Sequence, residues 1–105
     1  MPSNATPQVA GAAQADPKHY TIEAENDRVR VLRARYAPGE KSNMHSHPPL
    51  VAIMLTAGSI RMHGPDGSTM EMETKAGEVM SMDAQVHCPE NIGSEPFEVI
   101  LVELK

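Results

Sequence analysis

From Lys18 onward, apolar and polar positions alternate with a period near two, and turn residues punctuate the alternation. Residues 27–36 (DRVRVLRARY) place Val29 and Val31 on one side and Arg28 and Arg30 on the other, until Pro38-Gly39 ends the run. Residues 50–56 (LVAIMLT) form a continuous apolar run of strand length, the pattern of a strand covered on both faces. In residues 59–63, Ile60 and Met62 oppose Arg61 and His63, and Gly64-Pro65-Asp66-Gly67 predicts a hairpin turn. Met70 and Met72 then alternate with Glu71 and Glu73. Ala76-Gly77 makes another turn, residues 78–82 predict a short strand, and residues 97–104 (FEVILVEL) the last one. No segment carries a helical stripe, and no repeat of fixed period is present. Many short strands at near-regular spacing predict an all-β domain, a sandwich or a barrel.

Residues 1–17 (MPSNATPQVAGAAQADP) lack this alternation and are rich in Ala, Pro and Gln, so they read as a mobile tail ahead of a single domain over residues 18–105. Composition narrows the interior. The aromatics are Tyr20, Tyr36 and Phe97 against eight methionines, so the core is aliphatic and methionine-rich. The formal net charge of -5, with no basic cluster, argues against nucleic acid and anionic membranes as partners. The single cysteine, Cys88, excludes an internal disulfide. No stretch approaches the ~20 apolar residues of a membrane-spanning helix. A cytoplasmic location is expected, or a periplasmic one if Ala13-Gln14-Ala15, of small-x-small form, ends a trimmed export signal.

The chemistry lies in the histidines. His45 and His47 are two apart, so on a strand both point to one face. That spacing suits a shared metal ion, and by itself it equally suits two loop histidines. Their surroundings go further. Gly39, His45, His47 and Gly58 fall without a gap on the pattern G-x5-H-x-H-x3,4-E-x6-G. Gly77, His87 and Asn91 match the ends of G-x5-P-x-G-x2-H-x3-N. With both segments the chain resembles the cupin superfamily across about residues 27–104.

The resemblance implies a double-stranded β-helix, a jelly-roll-like barrel, with an interior site for one divalent metal held by His45, His47 and His87. Val51 stands where the pattern has its glutamate, and the second segment lacks the internal Pro and Gly and is one residue short. The departure at Val51 resembles the three-histidine branch, which includes thiol dioxygenases and a diketone dioxygenase. Three neutral imidazoles leave an ion its full charge and at least one open position, and they favour Fe, Cu, Ni or Zn over harder ions. The reading is therefore a mononuclear metal-binding cupin. As an enzyme it is a non-haem iron dioxygenase of a small bidentate substrate. The alternatives are a metal-assisted isomerase or lyase on a sugar or hydroxy acid, and a non-enzymatic module binding metal or a small ligand. No catalytic residue is assigned. A homodimer is expected, as is common among small cupins.

Other residues carry expectations of their own. If strand parity runs on from His47, then Pro49, Val51, Ile53 and Leu55 wall the pocket. Arg33 and Arg35 continue the parity of Val29 and Val31; they are either solvated or one anchors a substrate carboxylate. His63 and His19 read as exposed. Cys88 faces away from the metal unless the loop bends it and Glu90 into reach, and Asn91 either supports a ligand or caps a turn. The strand methionines read as core filler, with soft copper ligation as the alternative.

Overall fold

The computed structural model describes residues 9–105. A short helix, α1 (Ala12–Ala15), precedes nine strands: β1 (Tyr20–Glu25), β2 (Val29–Tyr36), β3 (His45–His47), β4 (Leu50–Met54), β5 (Gly58–His63), β6 (Thr69–Thr74), β7 (Val79–Met82), β8 (Gln85–Asn91) and β9 (Phe97–Leu104). They form a five-stranded sheet in the order β1-β2-β9-β4-β7 and a four-stranded sheet in the order β3-β8-β5-β6. All named pairings are antiparallel. The all-β double-stranded β-helix expected from the sequence is present. Its two sheets are separate hydrogen-bonded units facing one core, not a closed barrel.

Alternation fixes which side chains turn inward. On β2 these are Leu32, Ala34 and Tyr36; on β9, Phe97, Val99, Leu101 and Glu103. β4 contributes Leu50, Ala52 and Met54, which corrects the expected wall of Pro49, Val51, Ile53 and Leu55. The cause is the Pro48-Pro49 pair. Proline donates no N–H to a ladder, and here the chain leaves the four-stranded sheet after β3 and enters the five-stranded one at β4. The parity of β3 ends there and that of β4 starts afresh, one residue out of step. Val51 and Ile53 lie half-buried on the outer face, between Val102 and Ile100 of β9 and Ser81 and Val79 of β7.

The glycines of the two sequence segments have structural reasons. Gly39 (φ +81°) and Gly77 (φ +83°) turn through the left-handed region that strains other residues. At Gly58 a Cβ would meet Phe97 Cβ and Thr74 Oγ1 at 3.1 Å. Asn91 caps a turn: its amide donates to the carbonyls of Tyr36 and Glu95, and its Oδ1 accepts from Gly93 N–H.

The tail reading needs correction from residue 9 onward; residues 1–8 lie outside the described residues. Ser46 N–H donates to Ala10 O at 2.9 Å, Gly11 bridges Ser46 in parallel, and Ala12 is buried against the core. This segment lacks periodicity because it is held by pairing to β3 rather than by an amphipathic pattern of its own. No helix among the described residues is long and apolar enough to cross a membrane.

Candidate metal centre

β3 and β8 pair so that His45 lies directly opposite His87, with His47 one pleat along on the same face. One ligand nitrogen from each of the three lies within 4.8 Å of the others, and all three residues are buried. The ring centroids are 4.8, 4.9 and 5.0 Å apart, with interplanar angles of 88°, 89° and 76°. The gathered nitrogens, not the ring angles, mark the place an ion would fill, because edge-to-face rings at this spacing are also ordinary aromatic packing.

The outer nitrogens are fixed. His45 Nδ1 donates to Asn43 O at 2.9 Å, and His47 Nδ1 donates to Glu103 Oε2 at 2.5 Å. Each contact places the proton on Nδ1 and turns the Nε2 lone pair inward, the arrangement by which an outer carboxylate or carbonyl orients a metal-bound histidine. Both ring nitrogens of His87 are buried without any hydrogen-bond partner. Such a group costs stability unless something binds it. The donor set of three imidazoles, with one of them orphaned, fits a single divalent ion whose Zn–N type bonds run to ~2.0–2.1 Å.

Burial, reinforced by the neighbouring His47, lowers His45 to about 4. Burial, together with His47 and His45, lowers His87 to about 3. Both are therefore neutral and ready to ligate at pH 7. The sign for stability follows. An unfolded histidine titrates near ~6.5. As pH falls below that value, the unfolded chain takes up protons that the folded one refuses. The metal-free fold then loses stability at up to ~1.4 kcal/mol per pH unit for each of these two histidines, until they too protonate at about 3 to 4. Urea unfolding of metal-free protein should show a midpoint steady from about pH 8 to 7 and falling from there to about pH 5. A flat midpoint over that whole range contradicts the assignment.

A family model described as a cupin domain matches residues 32–103. The chain belongs to the cupin family. Among solved structures this cupin is similar to a cupin domain from Bordetella pertussis Tohama I, with a TM-score of 0.76 and 22% identity over 95% of this chain and 99% of that one. A conserved Klebsiella pneumoniae protein with a double-stranded β-helix domain matches at TM-score 0.61 and 23% identity, covering 99% and 81% of the two chains. An RmlC-like cupin from Methanocaldococcus jannaschii matches at TM-score 0.61 and 19% identity, covering 83% and 81%. No curated protein matches the chain.

In this cupin Val51, at the pattern's glutamate position, turns outward, and the inward residues of β4 are Leu50, Ala52 and Met54, so β4 supplies no interior carboxylate. Three further residues, missed in the sequence, complete the site. Glu103 reaches His47 from β9. The Tyr20 hydroxyl, from β1, lies 3.2 Å from His45 Nε2 and 2.7 Å from the Tyr36 hydroxyl. Burial first, then Tyr36, raises the Tyr20 pKa well above its ordinary value, so this hydroxyl stays protonated and donates. A signal for Glu103 existed: it continues the apolar parity of Phe97, Val99 and Leu101, where a glutamate needs a partner.

The remaining sequence candidates lie elsewhere. Arg33 pairs with Glu98 at 2.6 Å and Glu23 at 3.2 Å on the outer face, and Arg35 is exposed. Cys88 is buried with its Sγ on Ser42 O, and Glu90 pairs with His63 and Arg61. His19 is buried, not exposed. It hydrogen-bonds Asp16 at 2.7 Å and Glu40 at 3.2 Å, and stacks on Tyr36 at 4.3 Å. His63 is half-buried against Glu90. Met54, Met62, Met72, Met80 and Met82 line the cavity beside the triad, whereas Met70 is exposed.

Proposed function

We propose that this cupin is a mononuclear metal-dependent protein of the three-histidine type, acting as an iron dioxygenase on a small bidentate substrate. The observation that carries the reading is the triad itself: three buried imidazoles with ligand nitrogens within 4.8 Å of one another, two outer nitrogens tied off, the third ring unpartnered, and no carboxylate on the inward face of β4. His45, His47 and His87 would hold an Fe²⁺ there, which would supply reactivity toward O₂ and coordination to a substrate.

The chain's own residues prepare the site. Glu103 holds His47 in one tautomer, and the Asn43 carbonyl does the same for His45. The Tyr20 hydroxyl, 3.2 Å from His45 Nε2 and 2.7 Å from the Tyr36 hydroxyl, is a neutral hydrogen-bond donor at the edge of the triad. The cavity, about 50 Å³ and lined chiefly by apolar side chains, suits a small and largely apolar molecule.

A Lewis-acid isomerase or lyase needs a general base. Among the described residues the cavity offers none beyond the metal-site histidines and two tyrosines whose pKa values burial has raised. That favours oxygen chemistry over the isomerase alternative. The homodimer expected from the sequence belongs to the same reading, supported by the half-exposed aliphatic face of Val31, Val51, Ile53, Ile100 and Val102 on the five-stranded sheet.

Anaerobic reconstitution with Fe²⁺ followed by oxygen-uptake measurements on thiols, β-diketones and phenolic compounds tests the proposal. Stoichiometric O₂ consumption with one of these classes, lost in His45→Ala, is the expected result. Iron binding with no uptake across the panel returns the protein to a non-enzymatic binding role.

A further inference from the structure

The cavity beside the triad has an unusual lining. Met54, Met62, Met72, Met80 and Met82 come from four different strands to meet Phe97 within it. Its polar groups are His47, His87, Tyr20, Tyr36 and Gln85. Among the described residues no aspartate, glutamate, lysine or arginine lines it. The nearby buried carboxylate, Glu103, is already engaged by His47. Arg33 and Arg35, the sequence's candidates for anchoring a carboxylate if not solvated, lie on the outer face, Arg33 with two glutamate partners.

This inventory decides what the cavity accepts. A carboxylate, ammonium or phosphate on the body of the ligand would be buried with no opposite charge, which costs far more than one lost contact. A sugar would bury several hydroxyls against two tyrosines and one glutamine, leaving most without partners. Unbranched thioether side chains adapt to irregular apolar shapes and lie well against flat rings.

We propose that the cavity selects uncharged molecules: a compact chelating head with two oxygen or sulfur donors directed at the histidines, and an apolar body seated among the methionines. This rests on the metal site proposed above and adds the substrate class to it.

The test uses three catechols that share the chelating head and differ in the tail: 4-methylcatechol, 3,4-dihydroxybenzoate and dopamine. Each is titrated into Zn²⁺-loaded protein by calorimetry, with ¹³C-methyl methionine NMR spectra alongside. 4-Methylcatechol is expected to bind at least about tenfold tighter than either charged analogue. It should shift the methyl signals of Met54, Met62, Met72, Met80 and Met82 and leave that of Met70, 61% exposed, in place. Equal or tighter binding of a charged analogue, no binding of 4-methylcatechol, or shifts confined to Met70 overturn the inference.

If none of Zn²⁺, Fe²⁺, Ni²⁺ and Cu²⁺ loads, the metal reading falls on its own. Without Zn²⁺ loading, the class is read on metal-free protein with toluene, benzoate and benzylamine. Toluene alone moving the cavity methionines sustains it, and benzoate or benzylamine moving them as strongly overturns it.

Discussion

His87→Leu is expected to weaken metal binding by more than about a hundredfold, beyond what loss of an outer-sphere partner causes, while leaving the metal-free fold as stable as the parent or more so. The two halves have one origin. His87 is buried with both ring nitrogens unpartnered, and an unsatisfied buried polar group costs about 1–3 kcal/mol. Leucine fills similar space without that cost. His45→Leu differs in sign for the metal-free protein, because His45 gives up its contacts to Asn43 O and the Tyr20 hydroxyl, a loss of about 1 kcal/mol each. Equilibrium dialysis for affinity, with urea unfolding in a chelator for stability, reads both effects. Should His87→Leu destabilise the metal-free fold as strongly as His45→Leu, the histidines are packing residues and the metal reading loses its basis.

Glu103→Gln is the second large effect. The Glu103 carboxylate accepts from His47 Nδ1 at 2.5 Å inside the protein. Glutamine keeps the shape and an acceptor oxygen and removes the charge that makes the imidazole a stronger ligand. Metal affinity should fall about 10–100-fold, with one ion still bound at saturation. Competition against a chelating dye measures it. Unchanged affinity would mean that Glu103 only holds β9 to β3 and does not tune the ligand.

Six of the nine strands were legible because period-two alternation is written locally, and each of the runs around Val31, Ile53, Ile60, Met72, Val79 and Ile100 became one, whereas β1, β3 and β8 carry too little alternation of their own to be assigned. His45, His47 and His87 were legible because strand parity sends His45 and His47 to one face, and the glycines flanking them have φ or packing requirements visible as a pattern. Three features were hidden, for different reasons. The inward face of β4 depended on where Pro48-Pro49 let the chain change sheets, an event with no periodic signature. The packing of residues 9–17 depended on a partner, Ser46, more than thirty positions away. His19 depended on Asp16, Glu40 and Tyr36 converging around it, so its place beside an aperiodic segment suggested exposure that tertiary contacts reversed. Glu103 stood between these cases: its parity was readable, and only its partner was not.

The decisive measurement is the metal content of protein purified without chelators, or reconstituted with Fe²⁺, Zn²⁺, Ni²⁺ or Cu²⁺ and desalted. About one ion per chain is expected, as three imidazole ligands at a single centre require, and none retained by His87→Leu. No stoichiometric ion from any of the four metals, or an undiminished ion in the variant, would contradict the three-histidine metal centre.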